Sequence, residues 1–400
     1  MLKNTQLNIK GWVSVLAAAL FFFYWFIQLS LSNTLVDYYT MKYGLEQYGL
    51  FTSMYLIGNV LMFIPAGVLL DRYSAKKVIS VSILVMVLGV LGMLLTFTAF
   101  IAYVCMLIIG MAGAFTLLAC VRVAANWFHE GSVGFPISMA ITVAFLGSYL
   151  GNAGGRALLT YFNSGAAVQI VNIIIGLVVL LVVLLCVKTP KSIEKMQDKQ
   201  KISEAFKKLG VVMTKRQNWF AGLYISLMNF PVMILEFSFG QAYLDHVFNI
   251  TAQQAANVTG IISVGFMIGG PIWNKISDKS GLRKPYIILG GLLSLGITFL
   301  LFIHSFGPDT LIIIFFFIGL LTAAQTLGYP LITESNDPEI SASATSLASL
   351  LIMGGGAVAQ IVFGYIQAGV GYQLAYYIIP ICILIAIILG CMLKETSKDY

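Results

Sequence analysis

Asp71-Arg72-Tyr73-Ser74-Ala75-Lys76-Lys77 is nearly repeated as Asp278-Lys279-Ser280-Gly281-Leu282-Arg283-Lys284, 207 positions further along a chain of 400 residues. In each copy an acid, a base, three spacers and two bases fill a short polar gap between long apolar runs. Each gap follows a glycine-bearing stretch, Gly67-Val68-Leu69-Leu70 in the first case and Gly270-Pro271-Ile272-Trp273 in the second. A charged hairpin that recurs at half the chain length indicates an internal duplication of a membrane unit.

The apolar runs on either side carry the same message. Residues are 59% hydrophobic and 10% charged, with a mean hydropathy of +0.92, too little charge to coat a soluble domain. A helix needs about 20 apolar residues to cross the roughly 30 Å hydrocarbon core. Twelve such runs fit the chain, at 11–35, 46–70, 77–97, 100–125, 134–160, 166–188, 217–243, 252–276, 285–305, 309–333, 342–367 and 371–393. The expected fold is therefore an all-α membrane protein of twelve spans. The first run lacks a small-residue cleavage site and reads as a span, not a removed signal.

Of the 23 Lys and Arg, all but Lys42, Arg122 and Arg156 fall on one side of this layout, in the N-terminal tail, the two hairpins, the segment from Lys188 to Arg216 and the C-terminus. The positive-inside rule then puts both termini in the cytoplasm, as an even number of spans requires. The net charge of +7 follows from this topology and implies no nucleic-acid partner. The polar stretch with Pro190 and alternating charges divides the chain into two bundles, 1–188 and 217–400, joined by a cytoplasmic linker over 189–216.

The duplication shows again in glycine. Gly147, Gly151, Gly154 and Gly155 lie in the fifth run, Gly354, Gly355, Gly356 and Gly364 in the eleventh, and Gly147 and Gly354 are again 207 apart. Small residues at this spacing let helices approach closely in lipid. The five cysteines, Cys105, Cys120, Cys186, Cys382 and Cys391, lie irregularly in apolar runs and read as fillers. His129, His246 and His304 are scattered among loops, so no metal site is expected, and no phosphate-binding GxxxxGK[ST] loop occurs.

These hairpins resemble motif A of the major facilitator superfamily (MFS), with Ser74 in place of the usual glycine in the first copy and Gly281 keeping it in the second. Arg122 resembles the motif B arginine. The segment Asn126-Trp127-Phe128-His129-Glu130-Gly131 is similar to the Trp-Phe loop of anion and organic-solute members. The stretches 222–235 and 325–336 resemble prokaryotic amino-acid and small-metabolite branches. One departure stands in the fifth run, where Gly151-Asn152-Ala153-Gly154-Gly155-Arg156 has Asn152 at the proline of the antiporter motif, which argues against drug/proton antiport.

The resemblance implies two six-helix bundles and a secondary transporter working by alternating access on a solute site near the midplane. It would be an integral, multi-pass protein, of the inner membrane if bacterial, acting as a monomer without cofactors or catalytic residues. Asp71, Arg72, Lys76, Asp278, Lys279 and Arg283 would form a conformational latch, the two aspartates accepting from helix N-termini of the opposite bundle.

Ionisable groups inside spans are costly and mark function. Glu236 is the one acid well inside a run, downstream of Asn229 and of Pro231, which should break its helix and free backbone carbonyls. It is the expected proton-coupling residue. Arg122 and Arg156 are the candidate cations for an anionic group, although Arg156 can also snorkel to the interface. Tyr24 with Gln28, and Tyr55 with Asn59, are pairs four apart on one helix face. Asn152, Asn229, Gln325, Tyr329 and Gln360 complete the expected substrate-binding set. Interhelical hydrogen bonding is the alternative for each. The function expected is proton-coupled symport of a small polar solute, such as an amino acid, a short peptide or an organic anion, with sodium as the other candidate ion. Proton-coupled export of a metabolite, siderophore or drug, and solute sensing without transport, are the alternatives.

Overall fold

A computed structural model describes the backbone of residues 2–45, 47–128, 134–188 and 202–396. Within these, the side chains of residues 2–8, 71, 134–135, 202–206, 338–339 and 341–342 are not described. Among the described residues every regular element is helical, and eleven helices are long and apolar enough to cross a membrane. They are Ile9–Thr34, Tyr48–Leu70, Ala75–Leu95, Ala99–Trp127, Pro136–Phe162, Gly165–Cys186, Arg216–Glu236, Ala252–Ser280, Lys284–Phe302, Pro308–Glu334 and Ser343–Ala375. They are numbered here as spans one to eleven, and the shorter apolar helix Ile378–Met392 is the twelfth.

That twelfth helix begins later than the apolar run suggests. The chain breaks at Gly371, whose φ of 79° is open to glycine and strained for other residues, so the run from 371 is divided. The 15-residue helix that remains rises about 22 Å, less than the hydrocarbon thickness.

Contacts sort the chain into two units. Unit 1 comprises Met1–Leu31, Leu35–Glu46 and Met54–Glu204; unit 2 comprises Ala205–Tyr400 together with Ser32–Thr34 and Gln47–Ser53. In unit 1 the third span packs on the fourth and sixth. In unit 2 the eighth packs on the tenth, the seventh on the eleventh and twelfth, and the ninth on the twelfth.

The duplication is built into this packing atom by atom. Spans two and four cross so tightly that a Cβ at Gly58 would strike the carbonyl of Leu107, and one at Gly110 that of Tyr55. Spans eight and ten cross the same way, Gly265 on the Leu107-equivalent carbonyl of Phe316 and Gly319 on that of Ile262. Gly58 and Tyr55 lie 207 positions before Gly265 and Ile262; Leu107 and Gly110 lie 209 before Phe316 and Gly319. Backbone contact of this kind is what drives association where lipid is as apolar as the side chains.

Lys42, one of the three exceptions to the charge asymmetry, has a structural role in unit 1. Its ammonium donates to the carbonyls of Met93 (2.9 Å) and Leu94 (2.7 Å) and lies 5.2–5.5 Å from the ring centres of Tyr38, Tyr43 and Phe97. The third span ends there, and a cation at a helix C-terminus satisfies both the free carbonyls and the dipole. This partial burial lowers the Lys42 pKa from its ordinary value.

Candidate functional site

Three of the polar residues expected at the site fall on irregular turns of their helices. Asn152 lies in a π-helical turn, Leu150–Gly154, inside the fifth span. Glu236 closes another, Val232–Glu236, in the seventh. Gln325 lies in a 3₁₀ turn, Ala323–Leu327, in the tenth. Mid-helix departures of this type leave carbonyls without their usual partners and are enriched where helices bend or bind.

The seventh span shows the cause most plainly. Pro231 has no N–H to donate and its ring opposes the regular ladder, so the α-helix Arg216–Met228 gives way to the π turn. The chain then turns through Phe237–Phe239 before the helix Gly240–Phe248 begins. Gly240 is required here, because a Cβ would run into the carbonyl of Leu235. Two carbonyls at this break are met by one side chain: Asn33 Nδ2 donates to Leu235 (3.2 Å) and to Glu236 (2.8 Å). Asn33 Oδ1 accepts from the Gln241 N–H (3.2 Å), and Gln241 Nε2 donates to Thr34 Oγ1 (3.0 Å).

The Glu236 side chain is fully buried, and it is the one buried acid among the described residues. Ser263, from the eighth span, donates its hydroxyl to Glu236 Oε1. A hydroxyl can give or take a hydrogen bond. It therefore suits the carboxyl in both of its states, donating to the carboxylate and accepting from the acid.

Also in unit 2, Gln325 Nε2 donates to Asn229 Oδ1 (3.1 Å), so these two expected residues meet. Gln360 on the eleventh span is fully buried, and neither its Oε1 nor its Nε2 has a hydrogen-bond partner among the described residues. A buried amide left so costs stability unless water or solute completes it. Tyr329 is half-buried nearby in sequence on the tenth span.

In unit 1 several expected residues are engaged in holding spans together. Gln28 and Asn172 exchange reciprocal amide bonds of 2.9 and 3.0 Å, joining spans one and six. Tyr55 donates to the Trp25 carbonyl (2.8 Å), joining spans two and one. Tyr24 is buried with its hydroxyl against Gly176. Asn59 and Asn152 are buried, Asn152 reaching the Ser148 carbonyl at 3.4 Å. Arg122 and Arg156 are each half-buried, on spans four and five.

Of the residues expected to form a latch, Arg283 is the best held among those described. Its guanidinium, with the side chain 6% exposed, donates to Asp278 (2.6 Å), Ser277 Oγ (3.0 Å) and Glu334 (2.9 Å). Asp278 is thus bonded within its own unit. Burial opposes the charge on Arg283, and the hydrogen bonds of Glu334 and Asp278 outweigh it and raise the pKa. Lys279 and Arg72 are exposed and Lys76 is half-buried. The side chain of Asp71, and the loop from His129 to Gly131, lie outside the described residues, as does the linker over 189–201.

Asn33, Ser263 and Asn172 were not legible as site or packing residues from the sequence. One signal was there for the first of them: Thr34 and Gln241, which meet, are 207 apart, the offset of the hairpins.

Comparison with known proteins bears on the same architecture. The family model of the Major Facilitator Superfamily matches residues 13–245 and again 223–399, two overlapping matches that together cover most of the chain. The chain belongs to the Major Facilitator Superfamily. It is 24% identical over 400 residues to an uncharacterised MFS-type transporter of Caenorhabditis elegans, covering 94% of this chain and 67% of that protein. Its fold is similar to the crystal structure of the nucleoside transporter NupG, with a TM-score of 0.74 at 16% identity over 95% of this chain and 99% of that one. It is similar also to a bacterial homologue of the human lysosomal transporter Spinster, solved inward-facing and occupied, with a TM-score of 0.72 at 14% identity over 94% and 95% of the two chains. The protein is an integral, multi-pass membrane transporter.

Proposed function

We propose that this MFS protein is a proton-coupled symporter of a small, neutral or zwitterionic organic solute, an amino acid or a nucleoside before an organic anion. The observation that carries the reading is Glu236: a lone buried acid on a broken helix, held by a hydroxyl that serves either protonation state. The acid's own carbonyl is held by Asn33, so the residue that gains or loses a proton also forms part of the clamp on the helix break. Proton binding and a change at that break are then coupled through one residue, as a shift between two states requires.

The amides of the expected substrate set favour a neutral solute. Asn152 in unit 1 and Gln360 in unit 2 are fully buried, with Asn229 and Gln325 also buried, whereas Arg122 and Arg156 are half-buried. Of these, Gln360 offers a donor and an acceptor that no described residue uses. A solute that brings one of each would satisfy it. The structural neighbour NupG, a nucleoside transporter, puts nucleosides on the list of solutes to test.

The test has two steps. Purified protein is first screened by thermal shift against amino acids, nucleosides and organic acids; a ligand at 100 times its Kd should add about 2.7 kcal/mol. The selected solute is then added outside proteoliposomes with a trapped pH dye. Solute-dependent acidification of the lumen is expected. Uptake that runs without proton movement and stops on removal of sodium would refute the proton reading.

A further inference from the structure

The geometry points to a binding site for one anionic phospholipid at the Lys- and Arg-rich end of unit 2, between the start of the seventh span and the end of the twelfth helix. A cavity of about 680 Å³ opens there, with Lys215, Arg216 and Lys394 in its wall and Phe220 and Met392 beside them. The helix Arg216–Met228 begins at the cavity with no side chain capping its first turn. Its positive dipole end adds to the attraction of the three bases for a phosphate. Among the described residues the acid paired with this set is Asp337, 3.9 Å from Lys215 and largely exposed, a weak competitor for its charge.

The bases are held in place from both sides. Gln217 Nε2 donates to the Lys394 carbonyl (2.9 Å) and Gln217 Oε1 accepts from the Lys394 N–H (3.1 Å). The next residue, Glu395, accepts from the backbone N–H groups of Arg283 (2.9 Å) and Lys284 (3.0 Å) at the start of the ninth span. Lys394 lies beyond the last helix, and these two anchors fix it at the rim. Arg216 is stacked on Phe220, with its guanidinium 4.7 Å from the ring centre.

A free phosphate or phosphorylated metabolite would use the bases and leave the apolar wall idle. A lipid uses both. From Met392 the exposed face of the twelfth helix continues through Ile388, Ile385 and Ile381, spaced four, three and four residues apart, a track along which an acyl chain can lie. Headgroup in the cavity and chain on the track account for the whole surface. Basic pockets at helix ends on the positive side of a membrane protein recognise anionic headgroups in this manner.

The experiment is native mass spectrometry of the purified full chain titrated separately with phosphatidylglycerol, phosphatidylcholine and free glycerol phosphate. One phosphatidylglycerol should stay bound under conditions that strip phosphatidylcholine. Each basic residue near an anionic headgroup is worth roughly fivefold in affinity. Lys394→Gln, which keeps the backbone bonds to Gln217, should therefore lose about fivefold, and the triple variant Lys215→Gln/Arg216→Gln/Lys394→Gln about 100-fold. The charge-matched control Lys207→Gln/Lys208→Gln/Lys275→Gln should retain the lipid. Equal retention of phosphatidylcholine, unchanged binding by Lys394→Gln and the triple variant, or glycerol phosphate binding as tightly as the lipid would each overturn the assignment.

Discussion

Glu236→Gln is the substitution that most directly separates coupling from transport. Glutamine fills the same volume and donates to Ser263 as the protonated acid would, so the variant is fixed in one of the two states. Because Glu236 is the one buried acid among the described residues, a single proton per cycle is the expected stoichiometry. One charge moved through 100 mV carries about 2.3 kcal/mol. At about 1.36 kcal/mol per factor of ten, this supports roughly fiftyfold accumulation of a neutral solute. In proteoliposomes held at that potential the wild type should approach this ratio, and Glu236→Gln should fall to about one. Exchange of labelled for unlabelled solute on the two sides needs no net proton movement and should stay within about threefold of wild type. A variant that still accumulates tens of times over the medium would show that the proton is carried elsewhere. Loss of exchange along with accumulation would show instead that Glu236 holds the structure or binds solute.

Asn33→Ala removes one acceptor and two donors at the helix break and should cost about 2 kcal/mol, read as a lowered melting temperature in detergent; an unchanged melt would mean water replaces the side chain. Lys42→Met keeps the stem but takes the ammonium from the Leu94 carbonyl and leaves the Met93 carbonyl to the Tyr43 hydroxyl, and should lose about 1 kcal/mol by the same measurement. Arg283→Lys cannot serve Asp278, Ser277 and Glu334 together, so it should destabilise by about 1–3 kcal/mol; Asp278→Asn, at an acid 60% exposed, should cost less. Asp71→Asn should sharply reduce uptake while membrane insertion stays intact, and near-normal uptake would leave Asp71 as a topological charge only.

The architecture was legible because the bilayer imposes it. Long apolar runs, one-sided bases and a hairpin repeated at 207 positions leave few folds to consider, and the helices follow the runs except where the chain breaks, as at Gly371 and after Pro231. The break in the seventh span was legible too, since proline acts on its own helix through local sterics. Side-chain partnerships were not. Gln28 reads identically whether it faces solute or Asn172, 144 positions away, and Glu236 gives no sign that Ser263 is its partner. Periodicity places a residue on a face without saying which helix lies opposite. Lys42 was visible as an anomaly of charge, while its use as a helix cap depends on where the third span happens to end.

The positions of Asn152, Glu236 and Gln325 on irregular turns are connected by a single physical constraint. In a dry helix every N–H and C=O is used four residues away, and a polar side chain there must find its partner on another helix. A π or 3₁₀ turn shifts that ladder by one residue and leaves a carbonyl open, so backbone and side chain can both face one spot. Asn33 shows the result at Leu235 and Glu236, where a single amide closes two open carbonyls. Such a clamp is cheap to exchange, because another donor or acceptor can replace each of its hydrogen bonds in turn. A regular helix offers no such exchange without breaking its ladder. The irregular turns are therefore where these spans can change shape while keeping their backbone satisfied, and in the proposed symport an acid at one of them would give a proton access to that change.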